Sequence, residues 1–357
     1  MTFVIAAAGT GGHVYPGLAV GEALVAQGIE RERILYVGGD RLEAKVYPDA
    51  GFPFEGLELK GLRRSLSIEN LKLPGIVLRA RRRMIEIMGD RGTKVGLGMG
   101  GYVTIPLALA VRSPGVDLMV SEQNKDAGLA NRVARRWASR VFVSFPNTKG
   151  MPGAEWVGNP VRRDLAQFDR ATGRAQAISH YDLDSSRPTL GVFGGSLGAG
   201  AINEAIARLV ATWGGPVMQV VHLTGRGRVI DGLQSPKVSV WRQVEFEDQM
   251  SRFYAAVDLV VARAGGGVAE LTATGTPSIL IPGEFGSAGH QRENARFIEA
   301  AGAALMLAEP ELGRLPRLVE ATLFDEGRLT TMREAASVIA RPNAASAIAE
   351  ALIEASK

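Results

Sequence analysis

Short apolar runs of strand length alternate with amphipathic helical stretches almost from end to end of the chain, and this alternation restricts the fold more than any other feature. A buried parallel strand reads as a continuous apolar run, and a crossover, usually a helix, must return the chain to its parallel neighbour. The first half offers strands at 3–8, 34–37, 95–97, 118–121 and 141–143, with helices at 16–27, 68–88, 105–111 and 129–137. The second half repeats the scheme, with strands at 190–193, 217–221, 238–241, 259–262 and 278–281 and helices at 202–212, 248–255, 268–274, 292–300 and 344–354. The class is therefore α/β, built from doubly wound parallel sheets. With 357 residues, and about 150 per domain, two domains fit better than one. A polar seam at 157–187 carries Gly158, Asn159 and Pro160 and no strand. It places the boundary at 163, giving domains 1–163 and 164–357, with the last helix free to pack back on the first domain. A ligand is expected where the carboxyl ends of the strands line a cleft between two such domains.

Hydrophobic residues at 46% and charged residues at 22% leave enough apolar material for full cores and exclude disorder, collagen and coiled coil. The absence of Cys removes disulfides, thiolate metal sites and a Cys nucleophile, and it suits a reducing compartment. The four His are scattered without metal-ligand spacing. No apolar run reaches the ~20 residues of a membrane span, and MTFVIAAA at the start lacks a positive flank, reading as a strand rather than a signal peptide. Both features point to the cytosol. Up to Arg162 there are 22 basic and 15 acidic residues, against 19 and 22 after it, so the halves carry +7 and −3. The bias is strongest between Lys60 and Arg83, where eight cations and one acid are interleaved with Leu and Ile.

Four glycine loops follow strands: Gly9-Thr10-Gly11-Gly12-His13, Gly98-Met99-Gly100-Gly101-Tyr102, Gly194-Gly195-Ser196-Leu197-Gly198 and Ala264-Gly265-Gly266-Gly267. Glycine lets backbone amides approach an anion, and a helix start behind the loop adds the favourable end of its dipole. The dinucleotide fingerprint would need a third Gly where Val14 stands, and the nearest strand-end acid, Asp40, comes too late for its ribose carboxylate. A Walker loop would need G-K-[ST], which is absent. Four loops suit two diphosphates better than one. His13, an imidazole with a near-neutral pKa on such a loop, is a chemically reasonable general base.

The runs GTGGHVYPGLAV (9–20), GMGGYVTIP (98–106), SEQNKDAGLANR (121–132), VGNPVR (157–162), GGSLGA (194–199), HLTGRG (222–227), AELTATGTP (269–277) and HQRENA (290–295) resemble the MurG family in collinear order over nearly the whole chain. The resemblance implies a GT-B fold of two Rossmann-like domains facing a cleft. It also implies an inverting transfer of GlcNAc from UDP-GlcNAc to the C4 hydroxyl of an undecaprenyl-diphosphate-linked muramoyl pentapeptide, in peptidoglycan synthesis. No cofactor or metal is implied. His13 would be the base. Glu122 would orient the acceptor or assist the proton transfer, with a helix-capping carboxylate as the alternative. Thr10, Gly11, Gly12, Asn124, Arg162, Gly195, Ser196, Phe246, Gly265, Gly266, Gly267, Glu270, Gln291 and Asn294 would serve the donor: Ser196 and the Gly195 amide on the diphosphate, Glu270 on the ribose, Gln291 and Asn294 on the sugar, and the Phe246 backbone on the uracil. Gly11, Gly12, His13, Gly100, Gly101 and Tyr102 would hold the acceptor diphosphate. For Arg162 a hinge salt bridge stays open beside the nucleotide.

The sequence departs from the family pattern at three points: a loop one residue shorter between Arg263 and Glu270, Leu197 where Gln is usual, and Glu247 where an apolar residue is common. The one Asp-x-Asp pair, Asp182-Leu183-Asp184, lies in the polar seam rather than after a strand and reads as solvated linker, not as a metal holder. A lipid-linked acceptor implies a peripheral enzyme on the cytoplasmic side of the membrane. The apolar and cationic mixture of Leu62, Leu66, Leu73, Ile76, Arg79, Arg82 and Arg83 fits docking on anionic lipid, although an ordinary helix with a basic face would have the same composition. No nucleic-acid motif accompanies the cations, and cell-wall synthesis proteins stay open as partners. The other readings are a second kind of GT-B enzyme, such as a lipid glycosyltransferase or a UDP-GlcNAc 2-epimerase, or a silent nucleotide-sugar-binding module.

Overall fold

The computed structural model describes residues 2–57, 73–112, 115–195, 198–283 and 288–357, apart from the side chains of residues 73, 74 and 288. The chain forms two compact units, Met1–Arg163 with Pro342–Lys357, and Asp164–Arg341.

The first unit holds a seven-stranded sheet, all its pairings parallel, made of β1 (Thr2–Ala6), β2 (Ile34–Gly38), β3 (Phe54–Gly56), β4 (Thr93–Gly98), β5 (Asp117–Glu122), β6 (Arg140–Val143) and β7 (Glu155–Trp156). Its spatial order is β3-β2-β1-β4-β5-β6-β7. The second unit holds a six-stranded parallel sheet of β8 (Thr189–Phe193), β9 (Met218–Leu223), β10 (Val238–Val244), β11 (Leu259–Ala262), β12 (Ser278–Leu280) and β13 (Ala304–Met306), ordered β10-β9-β8-β11-β12-β13. Both sheets wind outward from their first strand in one direction and then return to continue on its other side. The order therefore reverses between β1 and β4, and again between β8 and β11, which is where doubly wound sheets open a crevice at their strand ends. Strands β1, β2 and β8 are buried along their whole length, as continuous apolar runs require when helices cover both faces.

The longer strands fall where the apolar runs place them, with shifts at their ends: the first stops at Ala6 rather than residue 8, β4 starts at Thr93 rather than 95, β9 spans Met218–Leu223 rather than 217–221, and β10 runs on to Val244 rather than 241. Three short edge or near-edge strands, β3, β7 and β13, carry no run long enough to be read from sequence. The seam also differs from a plain linker, since it contains helices Arg163–Ala166 and Arg170–His180. The second of these starts at Asp169, whose carboxylate accepts from the Ala171 amide (2.9 Å) in the manner of an N-cap. It is held to the second unit by Arg170 and Arg174, which pair with Asp258 at 2.6 and 3.2 Å. Asp182 and Asp184 end in a hydrogen-bonded turn against Arg242, Ser186 and Arg187.

Helix Gly11–Ala26 is fixed by two tyrosines stacked with ring centroids 3.8 Å apart. Tyr36 donates to the Gly17 carbonyl (3.0 Å) and Tyr47 to that of Val14 (3.1 Å). A Cβ at Gly21 would lie 1.9 Å from the Tyr36 hydroxyl, so that position admits only glycine. The last helix, Ala344–Ala355, packs on Gly11–Ala26 and puts Ile348, Ala349, Ala351 and Leu352 into the same core as Phe3, Leu24 and Tyr36. It thus belongs to the first unit although it ends the chain.

Removing a fully buried side chain at this junction leaves a cavity, so Ile348→Ala is expected to destabilise the first unit by about 2–5 kcal/mol. The expected readout is a lower urea midpoint for the transition of that unit, with the other unit's transition unmoved.

Candidate active site

β1 gives way through residues 7–10 to helix Gly11–Ala26, with Thr10 as N-cap. The Thr10 side chain makes no capping hydrogen bond, while its carbonyl accepts from the His13 and Val14 amides at 3.0 and 3.2 Å. Helix geometry leaves the Gly11 and Gly12 amides without an intrahelical acceptor. The loop after β4 locks onto this one. Gly101 has a φ of +75°, and a Cβ there would meet the Ala8 carbonyl oxygen at 2.5 Å. A Cβ at Gly100 would come within 3.0 Å of His13 Nε2, so the main chain at Gly100 lies directly against the imidazole. Thr10, Gly11, Gly12, His13, Gly100 and Gly101 therefore gather at the point where the strand order reverses.

Tyr102 is in the same loop, and its hydroxyl donates to Glu43 (3.3 Å). Burial, with Glu43 second, pushes this phenol up to about 12, so the proton stays on the oxygen and points at the carboxylate. Glu43 is fully buried and also accepts from the amides of Gly9 (3.3 Å) and Gly39 (2.9 Å). Nothing in the sequence reading singled it out. The available signal was the Gly38-Gly39 pair ending β2 just before it.

Glu122 closes β5, buried, with four donors on its carboxylate. Oε1 accepts from the Asn124 amide (3.0 Å) and side chain (3.2 Å), and Oε2 from the Gly128 amide (3.0 Å) and Asn131 Nδ2 (2.9 Å). It buckles the turn that carries Asn124 onto helix Leu129–Ala134. Asn131 also donates to the Ser121 carbonyl (3.0 Å) and reaches the Gly100 main chain, 3.3 Å from where a Cβ would be. The SEQNK turn is thus tied to the histidine loop. Arg162, half-buried, ends the GNPVR run at the close of the first unit.

In the second unit the glycine loop after β8 turns tightly, with Gly195 at φ +93° and Gly198 at +69°. A Cβ at Gly198 would lie 2.4 Å from the Thr224 carbonyl oxygen. Ser196 and Leu197 lie outside the described residues. Behind this loop Asn203 donates to the Thr224 carbonyl (2.9 Å) and accepts from His222 Nε2 (3.1 Å). The other flank of the reversal is the loop after β11, where Gly266 precedes helix Gly267–Ala273 and Gly267 packs against the Phe193 ring. Glu270 accepts from the Tyr254 hydroxyl (2.9 Å).

Asn294 is buried and donates to the Ala264 carbonyl (3.1 Å), while Gln291 accepts from the Gly283 amide (2.9 Å). Both amides brace loops of this face. Phe246 is half-buried beneath the Arg226 guanidinium (4.9 Å to the ring centroid). Its neighbour Glu247 turns inward, accepting from Tyr181 (2.6 Å) and the Gln249 amide (2.9 Å). An acidic residue is therefore accommodated beside Phe246 without occupying the outer face.

Of the residues read as lipid-facing, Leu62 and Leu66 lie outside the described residues, as does the side chain of Leu73. Helix Leu73–Asp90 buries Ala80, Met84, Ile87 and Met88 in one stripe. Ile76 packs against that core, and Arg83, exposed, pairs with Glu55 and Glu86, both at 3.3 Å. Arg79 and Arg82 are exposed beside Leu78, itself 55% exposed. Among the described residues no helix is long and apolar enough to cross a membrane, and no three His, Asp or Glu cluster as metal ligands would.

Residues 3–143 match the glycosyltransferase family 28 N-terminal domain and residues 189–350 its C-terminal domain. A UDP-N-acetylglucosamine--N-acetylmuramyl-(pentapeptide) pyrophosphoryl-undecaprenol N-acetylglucosamine transferase of Listeria monocytogenes is 36% identical, with 99% of each chain covered. Its namesake in Halorhodospira halophila is 39% identical over 98% of this chain and 96% of that one. Among solved structures, Acinetobacter baumannii MurG superimposes with a TM-score of 0.78 at 26% identity, covering 99% of this chain and 100% of that chain. A UDP-GlcNAc 2-epimerase from Neisseria meningitidis, at 0.67 and 13% identity with 99% and 100% covered, shares the fold.

The His222 ring behind the glycine loop after β8 is fully buried, and burial lowers its pKa from 6.5 to about 4. Above the unfolded value its contribution is fully present; as pH falls from 6.5 toward 4 only the unfolded chain takes the proton. Stability of the second unit is expected to fall there by up to ~1.4 kcal/mol per pH unit. Urea midpoints between pH 7 and 4 check this, and His222→Gln should lack that component of the slope.

Proposed function

The chain belongs to the MurG family of glycosyltransferases, and from that premise we propose the residue roles by which it moves GlcNAc from UDP-GlcNAc to the lipid-linked muramoyl pentapeptide, converting lipid I to lipid II. The observation that carries the assignment of roles is the pairing of glycine loops at both strand-order reversals: after β1 and β4 in one unit, after β8 and β11 in the other. Each reversal offers main-chain amides to an anion, and the substrates bring two diphosphates.

The acceptor diphosphate sits on the Gly11, Gly12 and Gly100–Gly101 main chain, and His13 takes the proton from the acceptor C4 hydroxyl. As that oxygen attacks C1 of GlcNAc from the face opposite UDP, the C1–O bond breaks and its electron pair leaves with the UDP phosphate, inverting C1. The imidazole fits this duty because a histidine side chain is of the type that exchanges protons near neutral pH, and it sits in the first turn of helix Gly11–Ala26 against the Gly100 main chain. Glu122, with four donors already on its carboxylate, acts by positioning Asn124 and Asn131. On the donor side, Gly195 and Gly265–Gly267 receive the UDP phosphates and so stabilise the charge that develops on the leaving group. Ser196, outside the described residues, is read as a further phosphate contact. Glu270, oriented by Tyr254, accepts from the ribose hydroxyls, and the Phe246 main chain meets the uracil. Gln291 and Asn294 shape the sugar pocket, and Arg162 reaches the nucleotide. Leu78, Arg79 and Arg82 form the described part of a surface that docks on the cytoplasmic leaflet, where the lipid acceptor resides.

Release of UDP that depends on both substrates tests the reaction. In that assay His13→Ala should lower kcat by about 10²–10⁴-fold with little change in donor KM, whereas Glu270→Ala should chiefly raise donor KM. Normal turnover in the first variant removes His13 from the base role. For membrane docking, Arg79→Gln with Arg82→Gln should weaken partitioning onto phosphatidylglycerol vesicles roughly thirtyfold, at ~1 kcal/mol per cation; unchanged partitioning places the docking surface elsewhere.

A further inference from the structure

Glu43 is a buried carboxylate on which three different strand ends converge. Its Oε2 accepts from the Gly9 amide after β1, and its Oε1 from the Gly39 amide after β2 and from the Tyr102 hydroxyl after β4. A helix-start glutamate often accepts from one nearby amide upstream, and Gly39 is such a partner. The bonds to Gly9 and Tyr102 span 34 and 59 residues and have no place in local capping. Gly38, which ends β2, and Gly39 after it make room for this arrangement. A Cβ at Gly38 would come within 2.6 Å of Glu43 Cγ, and one at Gly39 within 2.1 Å of the Tyr102 hydroxyl and 3.0 Å of Glu43 Oε1. Neither glycine has a positive φ, so the space, not the backbone conformation, excludes a side chain there.

We propose that Glu43 is the positioning residue of the acceptor diphosphate subsite: by binding the Gly9 amide and the Tyr102 hydroxyl together it holds the two glycine loops in register, and the anion is met by backbone amides rather than by the Tyr102 hydroxyl. The inference rests on reading the Gly11–Gly12 and Gly100–Gly101 loops as that subsite. A phenol has one proton. Given to Glu43, it leaves the Tyr102 oxygen only lone pairs on its outer side, which repel a phosphate oxygen. The Gly9 bond sets the turn from which the Gly11 and Gly12 amides emerge unpaired at the helix start, and the Tyr102 bond sets the loop whose Gly100 backs the His13 ring. A carboxylate beneath an anion site is electrostatically adverse. Its retention there is explained by the three donors it aligns, because a buried carboxylate is tolerated only where hydrogen bonds satisfy it.

Steady-state kinetics of the full chain with UDP-GlcNAc and a short-prenyl diphosphate-linked muramoyl pentapeptide test this. Glu43→Gln turns one acceptor oxygen into a donor facing N–H or O–H groups, and should raise acceptor KM at least tenfold with donor KM within twofold of wild type. Tyr102→Phe should raise acceptor KM less. The double variant should match Glu43→Gln rather than the product of the two effects, since both act through one carboxylate. Gly39→Ala, which crowds the same contact without touching a charge, should shift acceptor KM in the same direction. Should Glu43→Gln lower only the melting temperature, or raise both KM values alike, Glu43 is a helix cap and the proposal fails. Multiplicative effects of the two single variants would also overturn it, by giving Tyr102 its own contact with the phosphate. If Glu43→Gln fails to fold, Tyr102→Phe and Gly39→Ala decide the question: acceptor KM unchanged in both refutes it. The wild-type arm keeps the premise separate, because failure of the short-prenyl diphosphate without sugar to compete with the acceptor would reject the subsite itself, whatever the variants do.

Discussion

A helix that follows a parallel strand begins with amide groups that have no carbonyl within the helix to receive them. In this chain those junctions occur in pairs, because each sheet is wound outward from its first strand and then resumed on the other side. Two strand-to-helix turns thereby come together in each unit: glycine at Gly101 lets one pair touch through backbone at the Ala8 carbonyl, and Gly267 lets the helix after β11 pack against the Phe193 ring at the end of β8. A diphosphate bound in such a place is recognised by main-chain geometry.

The buried carboxylates divide according to what they hold. Glu43, Glu122 and Glu247 all accept from backbone amides and from a neighbouring side chain. Each binds a loop whose position matters more than the carboxylate's own reactivity. Desolvation enforces this: a carboxylate taken out of water must be matched by donors, and donors on both oxygens leave little capacity for a passing substrate proton. His13 is differently placed. It is half-buried in the first turn of helix Gly11–Ala26, with glycine main chain against its ring, so its surroundings constrain where the imidazole lies.

The long apolar strands, the glycine loops and the doubly wound class were legible because each depends on a local property: a run of buried residues, or a position where no Cβ is tolerated. What escaped had no local signature. β3, β7 and β13 have two or three residues each and exist through pairing with a neighbour. Helix Arg170–His180 carries Gly173 and few apolar residues, and it is secured by ion pairs to Asp258, some eighty residues away. Glu43 resembled any solvent-facing acid at a helix start.

From the residues alone came the alternation of strand and helix, the four glycine loops and, through the collinear motifs, the family. These are fixed by period, glycine placement and residue order, none of which needs a partner distant in the chain. Tertiary structure alone decided which loops meet, that the final helix joins the first unit, that Arg83 pairs with Glu55, and which carboxylates are braces. Those outcomes turn on contacts between segments tens to hundreds of residues apart, and sequence spacing carries no measure of that proximity.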